Sequence, residues 1–246
     1  MQPQQASELK RRKRGERAED VALAYFRFNG FFTIPGFIIH PGEPGNFPRT
    51  DVDLVAIRFA HSYEAHGCVE LLDDPLIVPK ETSGCHLIYL VEVKAGNARI
   101  NGPHSYKKKR NIHRALYRVG FCPRDELDKV ADSIYESLYA KYPTEEDQPA
   151  THVVRYVTVS KDKGKLAKKY PCILLVTFDD IAKFFLKRFG EYPTKQIHMR
   201  SGLKWKGFAQ EFHNFAYRSE SKSEADAIEF VRIYIERGPK SHKCGG

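Results

Sequence analysis

Cysteine is scarce in this sequence and irregularly spaced. The chain of 246 residues has five cysteines, which are Cys68, Cys85, Cys122, Cys172 and Cys244. A disulfide framework or a zinc ribbon needs cysteines at regular, paired spacing, and this odd set without a CxxC pair provides none. The cysteines therefore favour neither kind of site. They fit a reducing compartment, and we expect a cytoplasmic location.

Long apolar runs and glycine-rich phosphate loops are also missing. No stretch is long or apolar enough to span a bilayer, and the basic N-terminal stretch lacks the apolar core of a signal peptide. Neither a P-loop nor a dinucleotide-binding glycine motif occurs. These absences predict a soluble protein with no membrane partner, and they disfavour a nucleotide-binding enzyme. Hydrophobic residues still make up 41% of the chain, which is enough for a buried core.

Acidic residues are outnumbered by basic ones. The chain has 31 Asp and Glu against 40 Lys and Arg, which gives a formal net charge of +9. A basic balance favours a polyanionic partner and raises the rate of encounter with it. Nucleic acid is the simplest such partner. The charge alone is also compatible with a basic protein that has no polyanionic ligand.

Part of this charge lies near the N-terminus. Residues 1–14 form a polar, basic segment that we expect to be a flexible arm. Its residues Arg11, Arg12 and Lys13 are candidates for phosphate contacts, because each neutralised phosphate adds affinity through released counterions. A solvated tail that aids solubility is the alternative.

Two charged residues end an otherwise apolar strand at residues 87–94. A buried strand has no packing use for Glu92 and Lys94, and the alternation of side chains places both on one face. A carboxylate suits a hard divalent cation, and an ammonium beside it can orient a water or stabilise an oxyanion. A salt-bridged strand end is the alternative that this run alone leaves open.

A second predicted strand, residues 50–58, also contains acids. Asp51 and Asp53 fall on the same face of that strand. If the two strands are neighbours, Asp53 and Glu92 converge on one cation, with the carbonyl of Val93 as a further oxygen ligand and Lys94 alongside. Asp51 competes with Asp53 for this role, and Asp53 is preferred because it lies deeper in the apolar run. Such a set of groups is typical of a metal-dependent phosphodiesterase.

The order of these residues resembles the PD-(D/E)XK, or restriction-endonuclease-like, nuclease superfamily. The matching residues are Asp53, the run Glu92-Val93-Lys94 and, before them, Glu19 on a predicted helix. The resemblance implies that Asp53 and Glu92 bind Mg²⁺, with Mn²⁺ as a substitute, that Lys94 assists the attacking water, and that Glu19 supports the metal shell. It covers roughly the first two thirds of the chain, without the proline that precedes the motif aspartate in the family.

The elements alternate along the chain as α/β proteins require. Helical spacing predicts helices at 15–29, 105–119 and 125–140, and apolar runs predict strands at 31–40, 152–160 and 172–177. A helix begins at Thr177, which forms a capping signal with Asp180, and Ser223 forms a similar signal with Asp226. This alternation favours a mixed β-sheet flanked by helices, and the resemblance implies a restriction-endonuclease-like core.

The basic residues of the predicted helix 105–119 recur at steps of three and four. We expect Lys107, Arg110, Arg114 and Arg118 to form one basic face that grips phosphates beside the site. A solvated face is the alternative. The stretch 161–169 is also basic, and its composition indicates a turn between two strands.

These patterns divide the chain into three parts. Residues 1–14 form the arm, residues 15–190 form a nuclease-like core with an insertion at about 59–86, and residues 191–246 form a helical extension that packs on the core or at a homodimer interface. The expected function is a metal-dependent endonuclease acting on DNA, which is preferred to RNA by analogy with the family. The alternatives are an RNA-directed nuclease and a nucleic-acid-binding module that does not cleave.

Overall fold

The structure is a computed structural model that describes most of the chain. The described residues are 3–39, 50–66, 69–100, 107–143, 149–190, 207–217 and 222–238. Within these ranges the chain forms an α/β structure in which helices flank one mixed, open sheet of six strands. The predicted mixed sheet flanked by helices is therefore confirmed.

The strands and helices take their numbers from chain order. The strands are β1 (Phe32–Ile39), β2 (Thr50–Arg58), β3 (Glu64–His66), β4 (Val69–Leu71), β5 (His86–Asn97), β6 (Tyr139–Tyr142), β7 (His152–Asp162) and β8 (Leu174–Thr177). The helices are α1 (Pro3–Phe28), α2 (Asn111–Val119), α3 (Arg124–Ser137), α4 (Leu166–Lys169), α5 (Phe178–Gly190), α6 (Phe208–Tyr217) and α7 (Glu224–Arg237). Among the residues described, no helix combines the length and apolarity that crossing a membrane requires.

The main sheet has the order β1-β2-β5-β7, and two short strands complete its far edge. Strands β1, β2 and β5 pair antiparallel, whereas β5 and β7 pair parallel along most of their length. On the other edge of β7, β6 pairs antiparallel with residues 152–155 and β8 pairs parallel with residues 157–160. The parallel pair needs a long crossover, and α2 and α3 lie in that connection. Strands β3 and β4 form a separate hairpin within the predicted insertion.

The central strand β5 is buried on both faces because helices cover both sides of the sheet. Leu87, Tyr89 and Val91 belong to a core that includes residues of α1, α5, α6 and α7. Ile88 and Leu90 belong to a second core formed with α2 and α3. Burial on both faces explains why this strand has an unbroken apolar sequence.

The N-terminal segment is helical, so the predicted flexible arm is wrong over the described residues 3–14. Helix α1 begins at Pro3 instead of near Gly15. The segment is rich in Gln, Glu, Lys and Arg, which have high helix propensity even without an apolar face. The helix is also fixed at Arg14, whose guanidinium donates to the carbonyl of Ala95 at 2.7 Å and pairs with Glu236 at 3.0 Å.

The helix predicted at 105–119 is shorter than expected. Residues 101–106 lie outside the described ranges, residues 107–109 form a single 3-10 turn, and α2 begins at Asn111. Arg110 precedes it in the left-handed conformation, with φ +52°. The backbone therefore changes direction between Lys107 and Arg114, and the predicted single basic helix face is not present.

The helix predicted at 125–140 also ends early. Leu138 takes a left-handed conformation, with φ +64°, and its N–H bonds to the carbonyl of Ile134. This capping bond closes α3 after Ser137. The chain then enters β6 at Tyr139, which pairs with Arg155 of β7.

The two helix starts predicted at Thr177 and Ser223 are confirmed. The hydroxyl of Thr177 accepts from the N–H of Asp180 at 3.1 Å, and the Asp180 carboxylate accepts from the N–H of Thr177 at 2.9 Å. Ser223 and Asp226 form the same reciprocal pair at the start of α7. These bonds satisfy backbone donors that a helix leaves free in its first turn.

The two C-terminal helices pack against α1. One carboxylate oxygen of Asp20 accepts from the N–H of Phe208 at 2.8 Å and from the hydroxyl of Tyr234 at 2.5 Å. Phe208 and Phe212 are fully buried in the core that α1 and α5 line. The aromatic spacing in α6 therefore serves packing.

Strand β1 lies at one edge of the sheet, and its two central residues are of types that are uncommon inside strands. Phe32, Ile34 and Ile38 are exposed, large apolar residues on this strand. Between them, Pro35 has no N–H to donate, and Gly36 has φ +57°, a conformation that favours glycine. The centre of this edge strand thus lacks one N–H donor and departs from extended strand geometry.

Arg188 is a fully buried cation that joins three parts of the fold. Its guanidinium donates to the carbonyl of Phe28 at 2.6 Å, at the last residue of α1, and to Asp73 at 3.4 Å. Asp73 also accepts from Arg58 at 2.6 Å. The network connects α5, α1 and the segment that follows the β3–β4 hairpin.

We expect Arg188→Ala to destabilise the protein by about 3–5 kcal/mol, because it leaves a largely buried carboxylate short of a cation. Urea denaturation followed by circular dichroism measures this loss. The matched control is Arg232→Ala, which removes a half-exposed pair with Asp179 at 2.9 Å and should cost less than about 1 kcal/mol. Equal losses in the two variants would show that the buried network contributes nothing beyond a surface ion pair.

Candidate functional site

The structure brings Asp53, Glu92 and Lys94 together where β2 begins and β5 ends. The ammonium of Lys94 lies 3.6 Å from Oδ2 of Asp53 and forms an ion pair with Oε1 of Glu92. The other strand that pairs with β5, β7, continues beside them in parallel register. One basic and two acidic side chains thus meet at one end of three adjacent strands.

Asp53 is held by the backbone of the neighbouring strand. Backbone pairing between β2 and β5 stops at Leu54, which lies opposite Val91. Beyond that point the N–H of Val93 donates to Oδ2 of Asp53 at 2.7 Å. The Asp53 carboxylate therefore accepts the hydrogen bond that a backbone carbonyl of β2 would accept if the pairing continued. This bond fixes the carboxylate beside Lys94.

The predicted alternation of β2 holds except at its beginning. Leu54 and Ala56 face the core with α1, and Val55 faces the core with α2, as predicted. Val52, expected on the face of Leu54, lies in the second core instead. The break in alternation coincides with the residue whose side chain bonds across to β5.

Asp51 and Asp53 were equal candidates by parity, and the structure separates them. Asp51 is exposed and lies opposite Ile38 of β1. Asp53 is half-buried and contacts both Val93 and Lys94. The geometry therefore places Asp53, and not Asp51, beside Lys94 and the end of β5.

Tyr156 supports Glu92 from β7. Its hydroxyl donates to Oε2 of Glu92 at 3.1 Å, and its side chain is buried. Because Lys94 contacts the other oxygen, both oxygens of Glu92 are engaged. Sequence reasoning missed Tyr156, since an aromatic residue in an apolar strand is typical of a core position.

Two polar residues of β7 complete this face of the sheet. Thr158 lies opposite Glu92, and Ser160 lies opposite Lys94. Thr158 is fully buried, and its hydroxyl has no hydrogen-bond partner among the described residues. Sequence reasoning missed this pair too, although two hydroxyls at alternate positions of an apolar strand were a visible signal.

Burial raises the pKa values of the two strand carboxylates, and a neighbouring carboxylate adds to each shift. For Asp53 the main cause is burial, which Lys94 and the N–H of Val93 partly offset. The pKa of Glu92 is raised by burial and then by the charge of Asp53, with Lys94 and Tyr156 opposing the shift. Two carboxylates beside one ammonium give the site a negative formal charge, which favours a bound cation.

Glu19 approaches the same site from α1. Loss of solvation raises its pKa to about 7, the charges of Asp53 and Asp51 add to the shift, and Lys94 opposes it. The residue as a whole nevertheless remains exposed to solvent, so solvent screens part of this shift. The charges of Asp53, Asp51 and Lys94 thus act on Glu19, and its support of a metal shell stays a prediction.

The residues present fit a hard divalent cation such as Mg²⁺. Asp53 and Glu92 supply carboxylate oxygens and Val93 a carbonyl, and Mg²⁺ takes its remaining ligands from water. The excess of negative charge and the unbonded hydroxyl of Thr158 fit such a hydrated ion. Within the described part of the chain, however, no group of three or more His, Cys, Asp or Glu side chains is arranged to hold a metal. Glu19 therefore does not complete a three-residue ligand set.

The basic residues of α1 lie near this site. Arg14 bonds to the carbonyl of Ala95, directly after Lys94. Arg11, Arg12 and Lys13 are exposed on the preceding turn, and Arg12 pairs with Glu16 at 2.9 Å. They are thus displayed on a helix whose position is fixed next to the end of β5.

The basic residues expected on α2 have other partners. Arg110 pairs with Asp128 at 2.6 Å, and Lys107 pairs with Asp132 at 3.4 Å, so α3 neutralises both. Arg118 donates to the carbonyl of Ile38 and lies over the ring of Phe37. Arg114 is half-buried. These four side chains do not form the common phosphate-binding surface that their spacing predicted.

No protein-family model, curated protein or solved structure matches this chain. The resemblance to the nuclease superfamily therefore rests on the order of the motif residues. The structure places Lys94 beside Asp53 and Glu92, and the family assignment stays a prediction.

The raised pKa of Glu19 predicts a pH-dependent loss of stability. Between its ordinary value of 4.5 and about 7, the folded state keeps a proton that the unfolded state has released, so stability falls as pH rises through this window. Glu19→Gln should therefore stabilise the protein at pH 8, on the order of 1 kcal/mol after solvent screening, and change little at pH 4. Urea denaturation in EDTA measures this difference.

Glu229→Gln, on the exposed surface of α7, is the matched control and should show no such difference between the two pH values. A loss of stability in Glu19→Gln at pH 8 would mean that the Glu19 carboxylate is a stabilising partner, contrary to this electrostatic description.

Proposed function

We propose that this protein is a Mg²⁺-dependent endonuclease that hydrolyses phosphodiester bonds in DNA, with a restriction-endonuclease-like core. The observation that carries the proposal is the placement of Lys94 between Asp53 and Glu92 at the common end of β2 and β5. The net charge of +9 supports a polyanionic substrate.

The roles of the residues follow from their positions. Asp53, Glu92 and the carbonyl of Val93 would hold the ion, and Mn²⁺ would substitute for Mg²⁺. When bound, the ion supplies a water of lowered pKa and neutralises charge on the phosphate. Lys94 positions the attacking water and stabilises the negative charge that develops on the phosphoryl oxygens. Glu19 would accept hydrogen bonds from water in the metal shell.

An ordinary structural ion pair accounts poorly for this arrangement. Glu92 is buried, Asp53 and Lys94 are mostly buried, and removing charges from water is costly even when they are paired. The pKa values of Asp53 and Glu92 remain raised despite Lys94, so the pairing does not fully compensate. Perturbed ionisable groups of this kind cluster at functional sites.

A second candidate function is a nucleic-acid-binding module that does not cleave. It is favoured by the absence, within the described ranges, of a three-residue metal-binding group. The basic turns of α1 would suffice for such binding. An RNA-directed nuclease is a variant of the first proposal, because the same chemistry acts on either phosphodiester.

Cleavage assays with matched variants test the proposal. Supercoiled plasmid, single-stranded DNA and branched DNA are incubated with Mg²⁺, Mn²⁺ or EDTA. We expect metal-dependent cutting by the wild type, and a loss on the order of 10²-fold or more in Asp53→Ala and Lys94→Ala, since each removes a group that acts on the reacting charges. The control is Asp51→Ala, which removes an exposed carboxylate of the same strand and should retain activity within a few-fold.

The outcomes distinguish the candidate functions. DNA binding without cutting in either metal would favour the binding module, and cutting of RNA alone would identify an RNA-directed enzyme. Retained activity in Asp53→Ala together with loss in Asp51→Ala would reverse the ligand assignment. Equal activity in all preparations, including both site variants, would indicate a contaminating nuclease and reject the site.

A further inference from the structure

The segment between β7 and β8 carries a dense group of exposed lysines. We call the following five residues the 161–169 lysine surface: Lys161, Lys163, Lys165, Lys168 and Lys169. All five are exposed, and none forms an ion pair with another described residue. Lys169 lies over the ring of Tyr170 at 5.1 Å. With Asp162 as the one acid among residues 161–169, the local formal charge is 5 − 1 = +4.

The parallel register of β5 and β7 places this surface next to the candidate site. Lys94 lies opposite Ser160, and Asn97 lies opposite Asp162 after a register shift. The N–H of Ala98 also donates to the carbonyl of Asp162 at 3.1 Å. The lysine segment therefore leaves the sheet roughly 7 Å, about two residues of strand, beyond the level of Lys94.

This surface differs from other basic groups of the protein because its lysines have no acidic partner among the described residues. Acids of α3 neutralise Lys107 and Arg110, so these side chains are already paired. The lysines at 161–169 have no such compensation from described residues, and like charges in one place repel each other. A polyanion relieves that repulsion and gains affinity through the release of its counterions.

We propose that the 161–169 lysine surface binds the phosphate backbone of DNA beside the phosphate at the candidate site. The strand distance of roughly 7 Å is short enough for one DNA molecule to contact both. The proposal rests on the proposed function for the position of the scissile phosphate. Binding itself is measured without cleavage, so the two proposals fail separately.

The test compares two triple variants that each lower the net charge by three. The first removes part of the surface: Lys163→Gln, Lys165→Gln and Lys168→Gln. The matched control removes exposed lysines elsewhere: Lys80→Gln, Lys129→Gln and Lys141→Gln. Lys80 precedes the start of β5, and Lys141 pairs with the start of β7. Both therefore lie at the ends of these strands that are far from Lys94. Fluorescence anisotropy with labelled duplex DNA in EDTA is measured from 50 to 200 mM salt.

We expect the first variant to bind more weakly and with a shallower salt dependence. The slope of log affinity against log salt should fall by about one unit for each lost phosphate contact, so by about two to three units. The control should keep the wild-type slope. Replacing the same three lysines with arginine should restore binding, since charge is retained, and this rescue excludes a folding defect.

Several results would overturn the inference. Equal losses in both triple variants would show that only net charge matters. A wild-type slope in the first variant would show that these lysines do not contact DNA, even if cleavage is normal. Binding of anionic lipid vesicles through these lysines, without binding of DNA, would assign the surface to a membrane. Lysine-dependent DNA binding by a protein that cuts nothing would support this surface and reject the nuclease.

Discussion

The burial of β5 on both faces is the constraint from which the site follows. This strand lies between β2 and β7, with α1 covering one face and α2 and α3 the other. Charged side chains have no place along its length, so they appear only where the sheet ends, at Glu92 and Lys94. Beyond the last pair of β2 and β5, Asp53 of β2 contacts the site from one side, and Tyr156, from the middle of β7, supports Glu92 from the other. The position of the site thus follows from the burial of β5 by helices on both faces of the sheet.

Features with a local physical signal were predictable from the sequence. The alternation of β5, the alternation of β2 from Leu54 onward and the capping pairs at Thr177 and Ser223 depend on neighbouring residues, and they were confirmed. Asp53 and Glu92 were recognisable because acids interrupt apolar strands. Contacts between distant segments gave no such signal. The bond from Arg14 to the carbonyl of Ala95 and the pairing of Arg110 with Asp128 depend on how elements pack. For this reason the predicted start of α1 and the predicted phosphate-binding face of α2 were wrong.

The distribution of charge matters more than its total. The sequence counts every lysine and arginine equally toward +9, yet the structure divides them into paired and unpaired groups. Beside α3 the basic residues meet acids, and in the interior Arg188 is shared between a helix end and Asp73. Around the end of β5 the balance is reversed, since burial and repulsion raise the pKa values of three carboxylates. A negative centre next to uncompensated positive surfaces is suited to a cation and a polyanion together.

The interrupted edge strand has a consequence for how the protein behaves at high concentration. An open sheet edge with exposed apolar side chains is a template for strand addition by another molecule, and hence for aggregation. On β1, Pro35 offers no N–H and the positive φ of Gly36 departs from extended strand geometry, and both features disfavour a continuous ladder with an incoming strand. Proline and a left-handed glycine are residues that protect sheet edges against strand addition, and here they lie among the exposed side chains of Phe32, Ile34 and Ile38.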